Sequence, residues 1–378
     1  MVLNSAVSLL FLWPWSYVAV LALLLLGLAR LRRSVPVSDA EAPSVSVVVT
    51  ARNEARDLPR CLSALAALDY PAAKLQFVLV NDRSTDATGD LLEAFATAHP
   101  NAVVLHTERL PDNGLESKAR GLAHGLDRAT GEWLLITDAD GAVPAGWVRH
   151  LLGEADAQTT MVSGALRVRT SPWWGWFEGA MQLFLMTFSL AAAGFRRPFI
   201  CVGPNMGIRG DVYRQSGGLS AQRFRVAEDL ALFRIAAAAG HIRQYADPAT
   251  TVEVSPVPRP GLLASQLRRW LGGGIEQHPA YLLGLTAALV WGLGCAAFLF
   301  TGWRVVPVSS WLLWMGGKLG GEWLLLGALS RRLGGKTPGR LTAALQPYQL
   351  VAVVFIPLSL LVSRRLRWVG EGYTVTYR

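Results

Sequence analysis

The alternation of short aliphatic runs with helical segments between Ser44 and Thr137 most constrains what this chain can fold into. Ser44–Ala51, Leu75–Val80, Ala102–His106 and Trp133–Thr137 read as strands. Helices are expected between them, over Leu58–Leu68, Asp86–Ala98 and Ser117–Arg128. Repeated βα units of this spacing imply a mostly parallel sheet with helices on both faces. In such a sheet, ligands bind beyond the carboxyl ends of the strands. Polar residues collect at that edge. Arg52-Asn53-Glu54 follow the first strand, Asn81-Asp82 the second and Asp138-Ala139-Asp140 the fourth.

Each cluster has a chemical reading and a plainer one. Two Asp residues one apart on a turn can share Mg²⁺ or Mn²⁺ and present it to phosphate oxygens; the plainer reading is a solvated turn. The other clusters can hydrogen-bond a base and a ribose, although Asn81 and Asp86 also suit helix capping and turns. No Gly-rich phosphate loop is present, so a metal must carry much of any diphosphate recognition. Lys118 or Arg120 could assist, and a solvated helix face accounts for them equally.

The composition points beyond a single α/β domain. Of 378 residues 52% are hydrophobic, including 14 Trp. Only 17% are charged, against about a quarter in ordinary soluble proteins. Val7–Ala29 carries no charge and is followed by Arg30, Arg32 and Arg33, which suits one membrane span with the next domain in the cytosol. A cleaved signal peptide fits less well, because the start is not basic and the apolar run is too long. Three more apolar stretches, at about Tyr281–Gly302, Val305–Leu329 and Leu341–Val362, are expected to be membrane segments. Basic groups at Arg331–Arg340 and Arg364–Arg367 flank the last one on both sides, and Pro347 and Pro357 make it a candidate for re-entry. Lys318 and Glu322 lie four apart inside Val305–Leu329 and suit an ion pair. Trp173–Gly194, whose one charge is Glu178, is placed as a buried or interface-lying helix.

The resulting division is an N-terminal span and basic flank (1–33), a cytosolic α/β domain (34–258), an interfacial segment (259–280), C-terminal membrane segments (281–363) and a basic tail (364–378). The expected location is a cell (plasma or inner) membrane, multi-pass. With a net charge of +9, the basic residues cluster near the apolar stretches, so anionic lipid is a better counterpart than nucleic acid, for which no signature appears. Cys61, Cys201 and Cys295 have neither pairing nor metal-ligand spacing and read as thiols in a reducing compartment.

Further motifs complete an ordered set: Gly203-Pro204-Asn205-Met206, Glu228-Asp229 and Gln266-Leu267-Arg268-Arg269-Trp270. Together with the earlier clusters they resemble the family 2 glycosyltransferases, over roughly Ser44 to Trp270. The Q-x-x-R-W element is similar to that of ceramide glucosyltransferase-like and processive synthase-like members. The resemblance implies a GT-A (Rossmann-like) α/β fold with flanking transmembrane helices and a UDP- or GDP-sugar donor. It also implies Mg²⁺ or Mn²⁺ as cofactor. By that resemblance Arg52, Glu54, Asp82, Lys118 and Asp138 lie on the donor side and Asp140 ligates the metal. Asp229 is the general base, with Asn205 and Glu228 on the acceptor side. Gln266, Arg269 and Trp270 close over diphosphate and acceptor, Arg269 counted with the catalytic groups. Asp229 has a rival reading as a helix N-terminal residue stabilised by the dipole, and Trp270 one as an interfacial anchor. The implied activity is inverting transfer of a sugar to a lipid acceptor on the cytosolic leaflet. Alternatives are a processive polysaccharide synthase and a non-catalytic nucleotide-binding partner or lipid transporter. The tail Arg367–Tyr373 resembles the ending of some membrane-bound members, with Glu371 where a basic residue is usual.

Overall fold

A computed structural model of the chain describes residues 2–115, 117–222, 227–277, 293–294, 297–301, 304, 306–335, 338–350, 365–368 and 371–374. The chain divides into two compact units: Arg32–Arg169 with Pro198–Ser255, and Met1–Leu31 with Thr170–Arg197 and Pro256–Arg378. The first helix, α1 (Val2–Arg30), belongs to the second of these.

The α/β unit alternates as its sequence pattern requires. Its elements run β1 (Val45–Ala51), α2 (Leu58–Ala66), β2 (Leu75–Asn81), α3 (Thr88–Ala98), β3 (Ala102–His106), α4 (Ser117–Arg128) and β4 (Trp133–Asp138). Beyond them lie β5 (Gly141–Ala142), α5 (Trp147–Leu152), β6 (Thr159–Ser163) and β7 (Leu166–Val168). After α6 (Gly175–Gly194), which clusters with the other unit, come β8 (Met206–Arg209), α7 (Gly210–Gln215), α8 (Glu228–Ala239), β9 (His241–Gln244) and β10 (Val252–Val254). The main sheet has the order β3-β2-β1-β4-β8-β6-β9. Its first four strands are parallel, whereas β8 runs antiparallel to both β4 and β6. Strand order reverses between β1 and β4, the switch point at which open sheets bind ligands. Thr50 stands opposite Asp138 in register, so the two strands release their polar tails side by side. A second sheet, β5-β10-β7, pairs Gly141 with Val254 and fixes the chain just past Asp140.

Apolar strand faces bury Val48, Val78, Val80, Leu134 and Ile136 against Leu122 and Leu126 of α4 and Leu232 and Ile235 of α8. Two glycines let α4 lie close to the sheet. A β-carbon at Gly121 would sit 2.6 Å from the Thr50 methyl, and one at Gly125 would sit 2.5 Å from Val48. That close approach sets Lys118, on the first turn of α4, at the sheet's carboxyl edge.

The helical unit contains α1, α6, α9 (Leu262–Gln277), α10 (Val308–Arg332) and α11 (Pro338–Leu350), with a hairpin of β11 (Arg365–Trp368) and β12 (Glu371–Thr374). Tyr17, Leu21, Leu24 and Leu28 of α1, with Leu31 just past its end, are buried, one stripe at alternating spacings of four and three residues. Gly27 of α1 meets Ala191 of α6, and Gly321 of α10 meets Leu21. Small residues permit these close crossings. At its other end α6 carries Trp176 beneath the Arg340 guanidinium, 5.6 Å from the ring centre. Thus α6 spans from the last turns of α1 to the first turn of α11.

Lys318 and Glu322 do form the expected ion pair, at 2.9 Å. It sits in a larger network: Gln346 accepts from Lys318 and donates to Glu322, both at 2.6 Å, and Tyr17 donates to Glu322 at 2.5 Å. Among the described residues, no helix is long and apolar enough to cross a membrane. Of the expected spans, Val7–Ala29 falls in α1 and most of Val305–Leu329 in α10. Most of Tyr281–Gly302 and the stretch 351–362 lie outside the described residues. Pro347 is inside α11, which continues to Leu350.

Candidate active site

The polar loops at the carboxyl edge are stitched to one another. Asn53 adopts the left-handed region (φ 55°), which Asn tolerates, and its Oδ1 accepts the Thr85 N–H at 2.8 Å. The Glu54 N–H donates to Thr88 Oγ1 at 2.8 Å. Arg52 leaves β1 on the same edge. These bonds carry the Glu54 carboxylate toward Asp138 and Asp140. Burial, then Asp57 and Asp138, push Glu54 up to about 7. Burial, then Asp138 and Glu54, push Asp140 up to about 8. Glu54 and Asp140 thus share one edge with Asp138, and these two resist being charged together.

Lys118 offsets part of that repulsion. Its ammonium lies 2.6 Å from Asp138 Oδ1 and 3.2 Å from Glu228 Oε1, linking the end of β4 to the start of α8. Expected on the donor side, Lys118 is here a counterion between two carboxylates. Glu54, Asp138 and Asp140 are hard oxygen donors whose mutual repulsion a divalent cation would relieve, so the residues fit Mg²⁺ or Mn²⁺. Among the described residues no cluster of three or more His, Cys, Asp or Glu side chains is arranged to hold a metal by itself. Donor phosphates and water would complete the shell, as is common for Mg²⁺.

Two expected ligand contacts turn inward. Asn205, expected on the acceptor side, is fully buried. Its Oδ1 accepts from Trp147 Nε1 at 2.9 Å, while Nδ2 donates to the carbonyls of Ala165 and Thr250 at 2.7 Å. It ties together the segments around β7, β8 and α5 and presents nothing to a substrate. Asp82 is also buried, and its Oδ1 accepts from Thr107 at 2.8 Å and from Arg120 Nη2 at 3.2 Å. Asp229 uses Oδ1 to accept the Leu230 N–H at 2.8 Å, the geometry of a helix-start residue, with Gly203 beside its carboxylate. Residues 223–226, just before it, lie outside the described set.

Gln266, Arg269 and Trp270 sit on α9 in the helical unit, at helical spacings of three and four. Sequence reasoning missed the carboxylate that holds the first of them. Glu178 of α6 accepts the Val257 N–H at 2.8 Å and Gln266 Nε2 at 3.1 Å, and burial pushes its carboxyl up. Its isolation in an otherwise uncharged segment was the available signal. Arg60 and Glu253 were missed too. Arg60 donates to the main-chain carbonyl of Asp140 and, at 3.3 Å, to Glu253. Nothing local in the sequence marks either residue. Cys61 is buried against the same turn, which pushes its thiol up to about 12, and Cys201 is likewise a buried free thiol.

Comparison with known proteins agrees with this geometry. The glycosyl transferase family 2 model matches residues 46–217 and the glycosyl transferase family group 2 model matches 133–372. A PGL/p-HBAD biosynthesis glycosyltransferase of Mycobacterium tuberculosis is 29% identical over 170 residues, 43% of this chain and 63% of the relative. The beta-monoglucosyldiacylglycerol synthase of Synechocystis is 28% identical over 170 residues, 42% of this chain and 34% of the relative. The chain thus spans less than two thirds of the length of each. Among solved structures, a Pyrobaculum calidifontis mannosyltransferase in complex with GDP-Man and Mn²⁺ superposes with a TM-score of 0.56. It is 21% identical over 92% of this chain and 95% of its own, a likeness of fold. With a family model covering well over half its length and an α/β sheet of matching architecture, the chain belongs to glycosyl transferase family group 2.

Proposed function

We propose that the chain is a membrane-attached, inverting glycosyltransferase that moves one sugar from a UDP- or GDP-sugar to a lipid hydroxyl at the cytosolic leaflet. The observation carrying this reading is the convergence of Glu54, Asp138, Asp140, Lys118 and Glu228 at the switch point between β1 and β4. Bound there, a divalent cation supplies charge for the leaving diphosphate. Asp140, with Asp138 beside it, would hold the cation, and Arg52, Glu54 and Arg120 would serve base and ribose, the Glu54 carboxylate adding negative charge near the ion. Asp229 takes the proton of the attacking hydroxyl, and attack from the face opposite the diphosphate inverts the anomeric carbon. The resemblance of the Q-x-x-R-W motif adds Gln266, Arg269 and Trp270 to the candidate residues, a guanidinium being suited to stabilise developing negative charge.

Two observations support a membrane and lipid partner. Leu23, Leu26, Leu312, Leu313, Trp323 and Leu324 of the helical unit are exposed, more apolar surface than water favours. One relative is named for glucosyldiacylglycerol synthesis. A single transfer is preferred to polymer extrusion, because the three C-terminal apolar stretches of the sequence are few to line a polymer channel. The test is to incubate the purified protein with a panel of nucleotide-sugars and extracted lipids and to weigh the products by mass spectrometry. A lipid heavier by one sugar supports the reading. A ladder of additions favours a processive synthase, and no transfer from any donor favours a non-catalytic partner.

A further inference from the structure

We propose that Arg60 is a positioning residue of the acidic edge, setting the main chain at Asp140 so that Asp138 and Asp140 are preorganised for a divalent cation. The inference rests on the reading of that pair as the cation-holding residues. Arg60 is on α2, the helix that comes after the Arg52–Glu54 loop. Its Nη2 donates to the Asp140 carbonyl and, at 3.4 Å, to Ser255 Oγ, while Nη1 donates to Glu253 Oε1 at 3.3 Å. Each side-chain acceptor is itself held. Glu253 Oε2 accepts from Arg167 at 3.0 Å, and Ser255 Oγ donates to Asp57 Oδ1 at 2.6 Å.

The next residue on α2 works on the same turn, with Cys61 Sγ 3.6 Å from the Asp138 carbonyl. Helix α2 therefore backs two alternate carbonyls of Asp138-Ala139-Asp140. On the far side, Gly141 is paired with Val254 of β10. With the main chain fixed from both sides, the carboxylates have only their own side-chain torsions left to order when a cation arrives. Arg60 takes the carbonyl of Asp140 and leaves the carboxylate for the ion. Three acceptors on two separate segments suit a planar guanidinium fork, which an ammonium does not reproduce.

The test is Mn²⁺ binding followed by electron paramagnetic resonance. It uses the full-length protein in detergent, with UDP or GDP present, for the parent, Arg60→Gln, Arg60→Lys and Asp140→Asn. Both Arg60 variants are expected to bind Mn²⁺ about 10–100-fold more weakly, the usual cost of losing a group that orients a metal ligand. If Arg60→Lys binds like the parent, charge alone suffices and the positioning role is overturned. The same holds if neither variant differs from the parent. Arg60→Lys, which keeps charge and bulk, decides the matter if thermal unfolding shows that Arg60→Gln does not fold. Asp140→Asn separates the two ideas. Parental Mn²⁺ affinity in that variant removes the cation-holding pair itself and with it the proposal.

Discussion

Burial and two neighbouring carboxylates move Asp140 from 3.8 to about 8, and Glu54 moves from 4.5 to about 7. In the absence of a cation the folded protein keeps protons at this edge that the unfolded chain has already released between those values. The unfolded state then binds fewer protons, so stability falls as pH rises from about 4 to about 8. Thermal unfolding in EDTA is expected to show a lower midpoint at pH 8 than at pH 5. Asp140→Asn should flatten that slope, and added Mn²⁺ should raise the midpoint more at pH 8. An equal slope in Asp140→Asn would remove the physical case for strain at this residue. Asp229 makes the second claim at this scale. Its carboxylate bonds its own helix through the Leu230 N–H, so capping and base catalysis must be told apart by kinetics. Asp229→Asn is expected to keep donor affinity and lose about 10²–10⁴-fold in rate, as for a positioned base. Turnover within a few-fold of the parent would make it a cap.

Among the elements, the βα half of the sheet was legible because each strand is a continuous aliphatic run bounded by turn residues. Predicted and observed limits of β1 to β4 differ by one residue at most, Asp138 closing β4 where Thr137 was expected. The second half was not legible. Strands β5 and β7 are only two and three residues long, too short for any periodicity, and β10 owes its existence to partners distant in sequence. The same limit hid Arg60 and Glu178, whose roles depend on those distant partners, and turned Asn205 from a ligand contact into a buried tie. In the helical unit, Lys318 and Glu322 were visible as a pair, but Gln346 and Tyr17 joined them only through packing of α1, α10 and α11. That network makes a prediction. Glu322→Leu leaves the Lys318 ammonium without its counterion and is expected to cost about 3–5 kcal/mol, whereas Glu322→Leu with Lys318→Met should recover much of it. Chemical unfolding of the detergent-solubilised protein measures both. A double variant no more stable than the single one would show that the cost is packing and not charge.

The molecule as a whole belongs to the family, and its membrane attachment, sidedness and lipid acceptor are proposed from charge and apolar exposure. By the positive-inside rule, Arg30, Arg32 and Arg33 favour a cytosolic α/β unit. Single cysteines placed at 140, 229 and 269 are therefore expected to resist a membrane-impermeant thiol reagent in intact cells and to react after lysis. Labelling of any one from outside would break the proposed topology. The central claim is cation-assisted transfer of a sugar at the edge formed by Asp138 and Asp140. Turnover of the productive nucleotide-sugar, measured with EDTA and then with excess Mn²⁺ or Mg²⁺, tests it most directly. Activity is expected to vanish on chelation and to return with metal in the parent but not in Asp140→Ala. Undiminished turnover in metal-free buffer, or a fully active Asp140→Ala, would contradict it.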